Sequence, residues 1–301
     1  MKPVIIEVAL NGACKKVRNP NVPVSPDEIV ADALRCMEAG AQSVHNHIED
    51  QRLTGAAAAD RYLEAWRPIH AANPDVLLCP TITIGETIEE RQSHVEELAK
   101  SGLMKFGPLD PGSVNLTGSG GLQNGIPTGS MVYSHGYPDC AFILEQLERH
   151  RLAANISIFD ASFLRAALAF QEAGRLRHGN LVKLYFGGDY SIADGTPNPL
   201  TFGFRPTRKA LEAYLEMLEG SGLCWIVNVY GGDVVKSGLA RMALELGGHV
   251  RVGLEDYAGD RTPSNLELVE EVVELAQQVG RPIASCREAA EMMSITAAAP
   301  A

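Results

Sequence analysis

Short β-branched runs alternate with helix-periodic segments along the whole chain, eight times over. Strands are expected near Val4–Leu10, Ser43–His47, Val76–Thr81, Met104–Gly107, Ala154–Ile158, Leu181–Phe186, Trp225–Val229 and Arg251–Leu254. Helices are expected near Pro26–Ala39, Ala58–Ala72, Thr87–Ser101, Pro138–Arg151, Ser162–Ala173, Thr207–Glu219, Val234–Leu246 and Pro263–Val279. An unbroken alternation of this kind requires parallel strands, because each helix serves as the crossover between its neighbours. The helix starts carry chemical signatures. Ser25-Pro26-Asp27-Glu28 and Thr87-Ile88-Glu89-Glu90 each pair a capping hydroxyl with a glutamate three residues on, and Thr262-Pro263 is expected to open the last helix. Gly40, Gly102, Gly174, Gly222, Gly247 and Gly280 stand where helices should end.

Eight strand–helix units in 301 residues predict an α/β fold, a (β/α)8 TIM barrel forming one domain over residues 1–301. A doubly wound open sheet would alternate too. The glycine fingerprint of its dinucleotide-binding version is absent, since Asn11-Gly12-Ala13-Cys14 follows the first strand. No Pro/Gly/Ser-rich linker divides the chain and no internal repeat is visible, while the Ala-rich tail Thr296–Ala301 is expected to fray.

Charge and cysteine usage narrow the function classes. A net charge of −11 argues against a nucleic-acid partner, whose binders present basic faces. No apolar stretch approaches the roughly 20 residues that span a bilayer, so no membrane partner is expected. Glu7 sits where a secretory signal would need its apolar core, and the six cysteines lack paired short spacings. The expectation is a cytoplasmic protein with reduced thiols.

His45 and His47, in Val44-His45-Asn46-His47-Ile48, carry the chemistry. Residues two apart on a strand face the same way, so both imidazoles project together as ligands for a divalent metal, most naturally zinc. A strand-end histidine pair also serves simply to hydrogen-bond a loop. The run Gly247-Gly248-His249-Val250-Arg251-Val252-Gly253-Leu254-Glu255-Asp256 supplies what the pair lacks. Barrel closure sets strands 8, 1 and 2 side by side, so Glu255 can complete the set with a coordination position left open, as at catalytic zinc sites. Arg251 shares inward parity with Glu255, and its buried guanidinium needs carboxylate partners, for which Glu7 and Asp256 are the candidates.

These two stretches, with Asn19-Pro20-Asn21-Val22-Pro23-Val24-Ser25-Pro26 and the closing Gly280-Arg281-Pro282-Ile283-Ala284, resemble the β-keto acid cleavage enzymes, a family that includes the 3-keto-5-aminohexanoate cleavage enzyme. The resemblance implies a zinc-dependent acyltransferase that converts a β-keto acid and acetyl-CoA into acetoacetate and a new acyl-CoA. It implies His45, His47 and Glu255 as ligands of zinc or another divalent metal, Asp256 as the base and Arg251 as the group that orients it. Thr81 falls at the family's substrate-binding serine, and Ser113 keeps the Gly-Ser ending after strand 4. Cys14 stands where the amine-recognising member has a glutamate, which implies a neutral or apolar substrate tail; a packed, inert thiol is the other reading. The resemblance also implies a homo-oligomer whose partners are small molecules, the β-keto acid and acetyl-CoA.

Several residues stay open on the sequence alone. Lys15, Lys16 and Arg18 suit CoA phosphates, a substrate carboxylate or a solvated basic loop. Gly231-Gly232 suits an anion, and Ser113 and Asn115 suit either a pocket wall or a turn cap. Two other zinc barrels fit less well. A water-activating hydrolase needs histidines after strands 5 and 6, where Ile158-Phe159-Asp160 and Phe186-Gly187-Gly188 stand, and a lyase of the aldolase type places its histidine pair near strand 7. A non-catalytic ligand-binding barrel leaves the adjacent acid and inward arginine unexplained.

Overall fold

The runs of valine, isoleucine and leucine pair as parallel strands, each buried on both faces as parallel barrel strands must be. The computed structural model describes residues 2–117, 122–127, 130–191, 194–198 and 200–295. The tail expected to fray lies outside them. In chain order the elements are β1 (Ile6–Ala9), α1 (Pro26–Ala39), β2 (Ser43–Asn46), α2 (Gly55–Ala72), β3 (Leu77–Pro80), α3 (Ile88–Lys100) and β4 (Phe106–Leu109). There follow β5 (Ser113–Thr117), β6 (Leu122–Gln123), β7 (Ile126–Pro127), β8 (Ser130–Ser134), α4 (Tyr137–His150), β9 (Ala153–Ile158) and α5 (Ala161–Glu172). The chain closes with β10 (Asn180–Gly187), α6 (Arg208–Leu218), β11 (Trp225–Tyr230), α7 (Leu239–Glu245), β12 (His249–Val252), α8 (Asn265–Val279) and α9 (Cys286–Met292).

Eight of these strands form one sheet in the order β3-β2-β1-β12-β11-β10-β9-β4. An isolated parallel bridge, Leu78 to Met104, brings its edges together and closes the expected barrel. Strands 8, 1 and 2 therefore adjoin, with Glu7 in register with Arg251 on one side and Ser43 on the other. Among the described residues no helix is long and apolar enough to cross a membrane.

The barrel interior is graded along its axis. Its N-terminal end is apolar, with Ile5, Leu77, Phe106, Ala153, Leu181 and Ile226 packed together and covered by Ala289 of α9 and Met293 just beyond it. There Arg281, also buried, donates to the carbonyls of Lys2, Pro3, Leu244 and Gly248, tying together the chain segments beneath the barrel. The C-terminal half is polar, with Glu7, Ser43, His45, Asn155, Lys183 and Arg251 all buried.

Four local expectations change. The seventh helix starts at Leu239, not Val234, because Asp233 accepts from the amides of Val235 and Lys236 and holds a turn there. Ser264 rather than Thr262 caps the last long helix, in a reciprocal box with Glu267. The eighth strand ends at Val252, so Glu255 and Asp256 lie in the turn beyond it. After strand 4 the chain forms an antiparallel ribbon, β5 with β8 and β6 with β7, in place of a simple loop.

Buried His249 gives the fold a pH dependence. Its Nδ1 accepts from the Ile5 amide at 3.0 Å, and burial, with Arg281 and Lys2 nearby, pushes its pKa down to about 3. The unfolded chain takes up a proton near pH 6.5 that the folded chain refuses, so stability is lost as pH falls below that value. From pH 7.5 to 5 this one residue should remove about 2 kcal/mol. In His249→Asn the amide oxygen can still accept from Ile5, so urea unfolding should show that share of the pH dependence removed. Parallel pH profiles for the two proteins would contradict the assignment.

Candidate metal centre and active site

Alternation along β2 sends Val44 and Asn46 outward and Ser43 and His45 inward. Asn46 is held from outside, where its Oδ1 accepts from the Trp66 indole on α2 at 2.9 Å. His47, one residue past β2, is held by Asn11, whose side-chain oxygen accepts from the His47 amide at 2.8 Å while its nitrogen donates to the His47 carbonyl at 3.0 Å. The two imidazole rings stand 5.2 Å apart and nearly perpendicular.

Glu255 arrives from the opposite direction. Gly253 turns the chain after β12 with φ 138°, a conformation few side chains adopt, and a Cβ there would meet the Ala9 carbonyl oxygen at 2.0 Å. The turn brings Glu255 Oε2 to 3.1 Å from His45 Nε2 and 3.5 Å from His47 Nε2. From the first loop Gly12 presses on the same side chain, and a Cβ there would come within 2.3 Å of Glu255 Cγ. The three candidate ligands thus lie together, although Glu255 comes from a turn and not from a strand.

The three side chains fit a metal. Their ligand atoms all lie within 4.8 Å of one another. Donors around a tetrahedral zinc at ~2.0–2.1 Å stand about 3.3 Å from each other, which the two carboxylate–imidazole separations bracket. His47 Nε2 and Glu255 Oε2 are buried and lack a hydrogen-bond partner, a state that coordination would relieve. His45 Nδ1 lies 3.1 Å from the Cys79 carbonyl, so it carries the proton and leaves Nε2 as the ligand atom. Burial lowers the His45 pKa despite the nearby Glu255, keeping the neutral, ligating form.

Beneath the triad Arg251 spans three carboxylates with no side-chain exposure. Its Nη1 bonds Glu7 at 2.8 Å, its Nε and Nη2 grip Asp256 at 2.8 and 3.0 Å, and Nη2 also reaches Glu255 at 2.9 Å. The expected partnership of Glu7 and Arg251 is therefore present. Glu7 also accepts from Ser43 Oγ at 3.2 Å and Asn155 Nδ2 at 3.5 Å. Burial opposes its ionisation, but the charges of Lys183 and Arg251 hold its pKa low. Glu255 is likewise held low by His45, Arg251 and His47 against the cost of burial. In Asp256 burial wins over Arg251, and the pKa rises. A fourth group, Asn228, donates to Asp256 Oδ2 at 3.0 Å.

The other candidates are distributed unevenly. Thr81 follows β3 half-buried, two residues past the inward Cys79, with its amide bonded to the Tyr62 hydroxyl. Cys14 is half-buried in the first loop, and burial pushes its thiol pKa up against the pull of Arg18. Ser113 opens the ribbon in an exposed position, 3.1 Å from the Ser134 hydroxyl, and Asn115 is exposed on the same strand, so neither caps a turn. Lys16 pairs with Glu28 on the helix α1. The Gly231 amide is already spent on the Asp256 carbonyl, so that glycine pair offers no free nest for an anion there.

Inspection of the sequence overlooks Asn11 and Gly12 as supports and Lys183 and Tyr185 as interior groups. The inward parity of Lys183 and Tyr185 on the sixth barrel strand was the available signal. Tyr185 lies under the Arg251 guanidinium, 5.5 Å from ring centre to carbon, and stacks on Phe159 at 4.7 Å.

Comparison with known proteins identifies the family. A family model described as beta-keto acid cleavage enzyme matches residues 3–295. A 3-keto-5-aminohexanoate cleavage enzyme from Acetoanaerobium sticklandii is 30% identical, over 98% of this chain and 100% of its own. A 3-oxoadipate:acetyl-CoA acetyltransferase from Cupriavidus necator is 28% identical, over 98% of this chain and 95% of its own. Among solved structures, apo ObcA superposes with a TM-score of 0.68 at 18% identity, covering 92% of this chain and 66% of that longer one. A type I 3-dehydroquinate dehydratase from Clostridium difficile gives 0.54 at 12% identity, over 92% and 94%, so these two share the fold. With a full-length family match and the His-His-Glu cluster of its closed barrel, the chain belongs to the beta-keto acid cleavage enzymes.

Proposed function

We propose that this protein is a zinc-dependent, cytoplasmic, homo-oligomeric β-keto acid cleavage enzyme that exchanges acyl groups with acetyl-CoA, releasing acetoacetate and a new acyl-CoA. The carrying observation is the meeting of His45, His47 and Glu255 with an adjacent buried acid, Asp256, whose proton affinity is raised. The acetyl-CoA-using relative supports the co-substrate. A divalent metal held by His45, His47 and Glu255 would supply Lewis acidity toward the carbonyl oxygens of the β-keto acid.

Asp256 takes a proton from C2, between the two carbonyls. The atom suited to it is Oδ1, which faces one donor, Arg251 Nη2, whereas Oδ2 accepts from both Arg251 and Asn228. Arg251 positions this carboxylate and the Glu255 ligand with one rigid fork. The C2 carbanion forms a bond to the acetyl carbon and expels CoA thiolate, which then attacks the original acyl carbonyl. The bond from that carbonyl to C2 breaks, and Asp256 returns the proton to give acetoacetate. Thr81, Cys14 and Ser113 are the proposed substrate contacts.

Three experiments test this reading. Incubation with acetyl-CoA and a panel of β-keto acids should give acetoacetate only when both substrates are present. Release of product without acetyl-CoA would indicate a hydrolase, and no product at all a binding protein. Asp256→Asn should keep its metal by elemental analysis while kcat falls about 10²-fold or more, since one general base is lost; normal turnover would remove Asp256 from the mechanism. Glu255→Gln should lose metal on dialysis, and unchanged metal content would place the third ligand elsewhere.

A further inference from the structure

Arg18 occupies a position that loop-pinning alone does not account for. It lies in the loop after β1, and its Nη2 donates to the carbonyl of Tyr257, two residues beyond Glu255. The loop after β10 packs against its other side, where a Cβ on Gly195 would come within 2.6 Å of the Arg18 Nε. These three loops all leave the C-terminal ends of barrel strands, the face on which barrel chemistry gathers. Arg18 is half-buried, whereas its neighbour Lys15 is exposed.

Its charge is uncompensated. Among the described residues no carboxylate pairs with Arg18, while Lys16 in the same loop is neutralised by Glu28. The Cys14 thiol of the same loop does not compensate it, because burial holds that thiol in the neutral form. A guanidinium carries five N–H donors, of which the Tyr257 carbonyl takes one. None of the others is buried without a partner, so they are open to water or to a ligand. Gly12 of the same loop rests against Glu255, and Arg18 bonds the carbonyl two residues beyond that carboxylate, so the cation stands on the side of the barrel that carries the candidate ligands.

We infer that Arg18 receives a second anionic group at the far end of the acyl substrate, so that the preferred substrates are β-keto acids bearing an additional carboxylate. This rests on the proposed reading of the site and replaces the neutral tail implied by Cys14. The thiol does not itself recognise the tail; it leaves the arginine charge free to do so. A half-buried cation beside the ligands suits a short acyl tail, whereas CoA phosphates stand far from the thioester and call for the exposed rim.

The test is equilibrium binding to metal-loaded protein without acetyl-CoA, so that no turnover is needed. The ligands are a β-keto dicarboxylic acid and a β-keto monocarboxylic acid of equal carbon number. The native protein should prefer the diacid, and Arg18→Met should weaken the diacid relative to the monoacid by about 10–100-fold, the worth of a charge-assisted hydrogen bond. Arg18→Lys should recover part of that selectivity. Equal weakening of both acids would make Arg18 a loop pin and overturn the inference, as would no preference in the native protein. An effect confined to acetyl-CoA affinity would place a CoA phosphate there and overturn it as well. Diacid selectivity without any acetoacetate formation would defeat the proposed reaction and leave the receptor standing.

Discussion

One guanidinium holds this site together. Arg251 enters the barrel from the eighth strand with no exposure and meets carboxylates from the first strand and from the turn that follows the eighth. A buried charge stripped of its partner costs several kcal/mol, so neither Glu7 nor the turn is free to move away from it. The same contact fixes the relative positions of Glu255, the candidate metal ligand, and Asp256, the proposed base, which are adjacent in sequence but differ in ionisation. Glu255, facing two imidazoles, is held as a carboxylate, whereas Asp256, with no imidazole beside it, is drawn toward its protonated form.

This arrangement requires the polar layer to be balanced and the base of the barrel to be rigid. Glu7, Glu255 and Asp256 face two buried basic side chains, Arg251 and Lys183, so a bound divalent ion would shift the interior toward positive charge. That sign suits a developing enolate and a substrate carboxylate. Below the charges the interior is hydrocarbon, sealed by α9 and by the carbonyl clamp of Arg281. Stability is concentrated at one end and chemistry at the other, the division that barrels of this kind adopt.

Much of this was legible in the residues. The period of strand and helix gave the eight units, and parity along three strands placed His45, Arg251 and Glu7 facing inward. Closure then brought early and late residues together. What escaped inspection involves residues whose importance is a matter of backbone. Asn11 reads as an ordinary turn residue until its side chain is seen to bond both backbone groups of His47. Gly253 reads as one glycine among many until the Ala9 carbonyl is found against it. The ribbon from β5 to β8 has the composition of a loop, rich in glycine and serine, and alternation too short to announce strands. The Gly231-Gly232 pair misled for the converse reason: it has the look of an anion nest, but an internal carbonyl occupies its amide.

Gly12 rests directly on Glu255, and Cys14 and Arg18 follow it two and six positions on in the same loop. Metal geometry and tail selection therefore share a single short loop, divided between a part that cannot change and a part that can. Any side chain at position 12 would shove the carboxylate out of place, whereas Cys14 and Arg18 are the positions proposed to meet the incoming molecule. A scaffold organised in this way permits new acyl specificities to arise by point changes in one loop, with the bond-making apparatus left as it was.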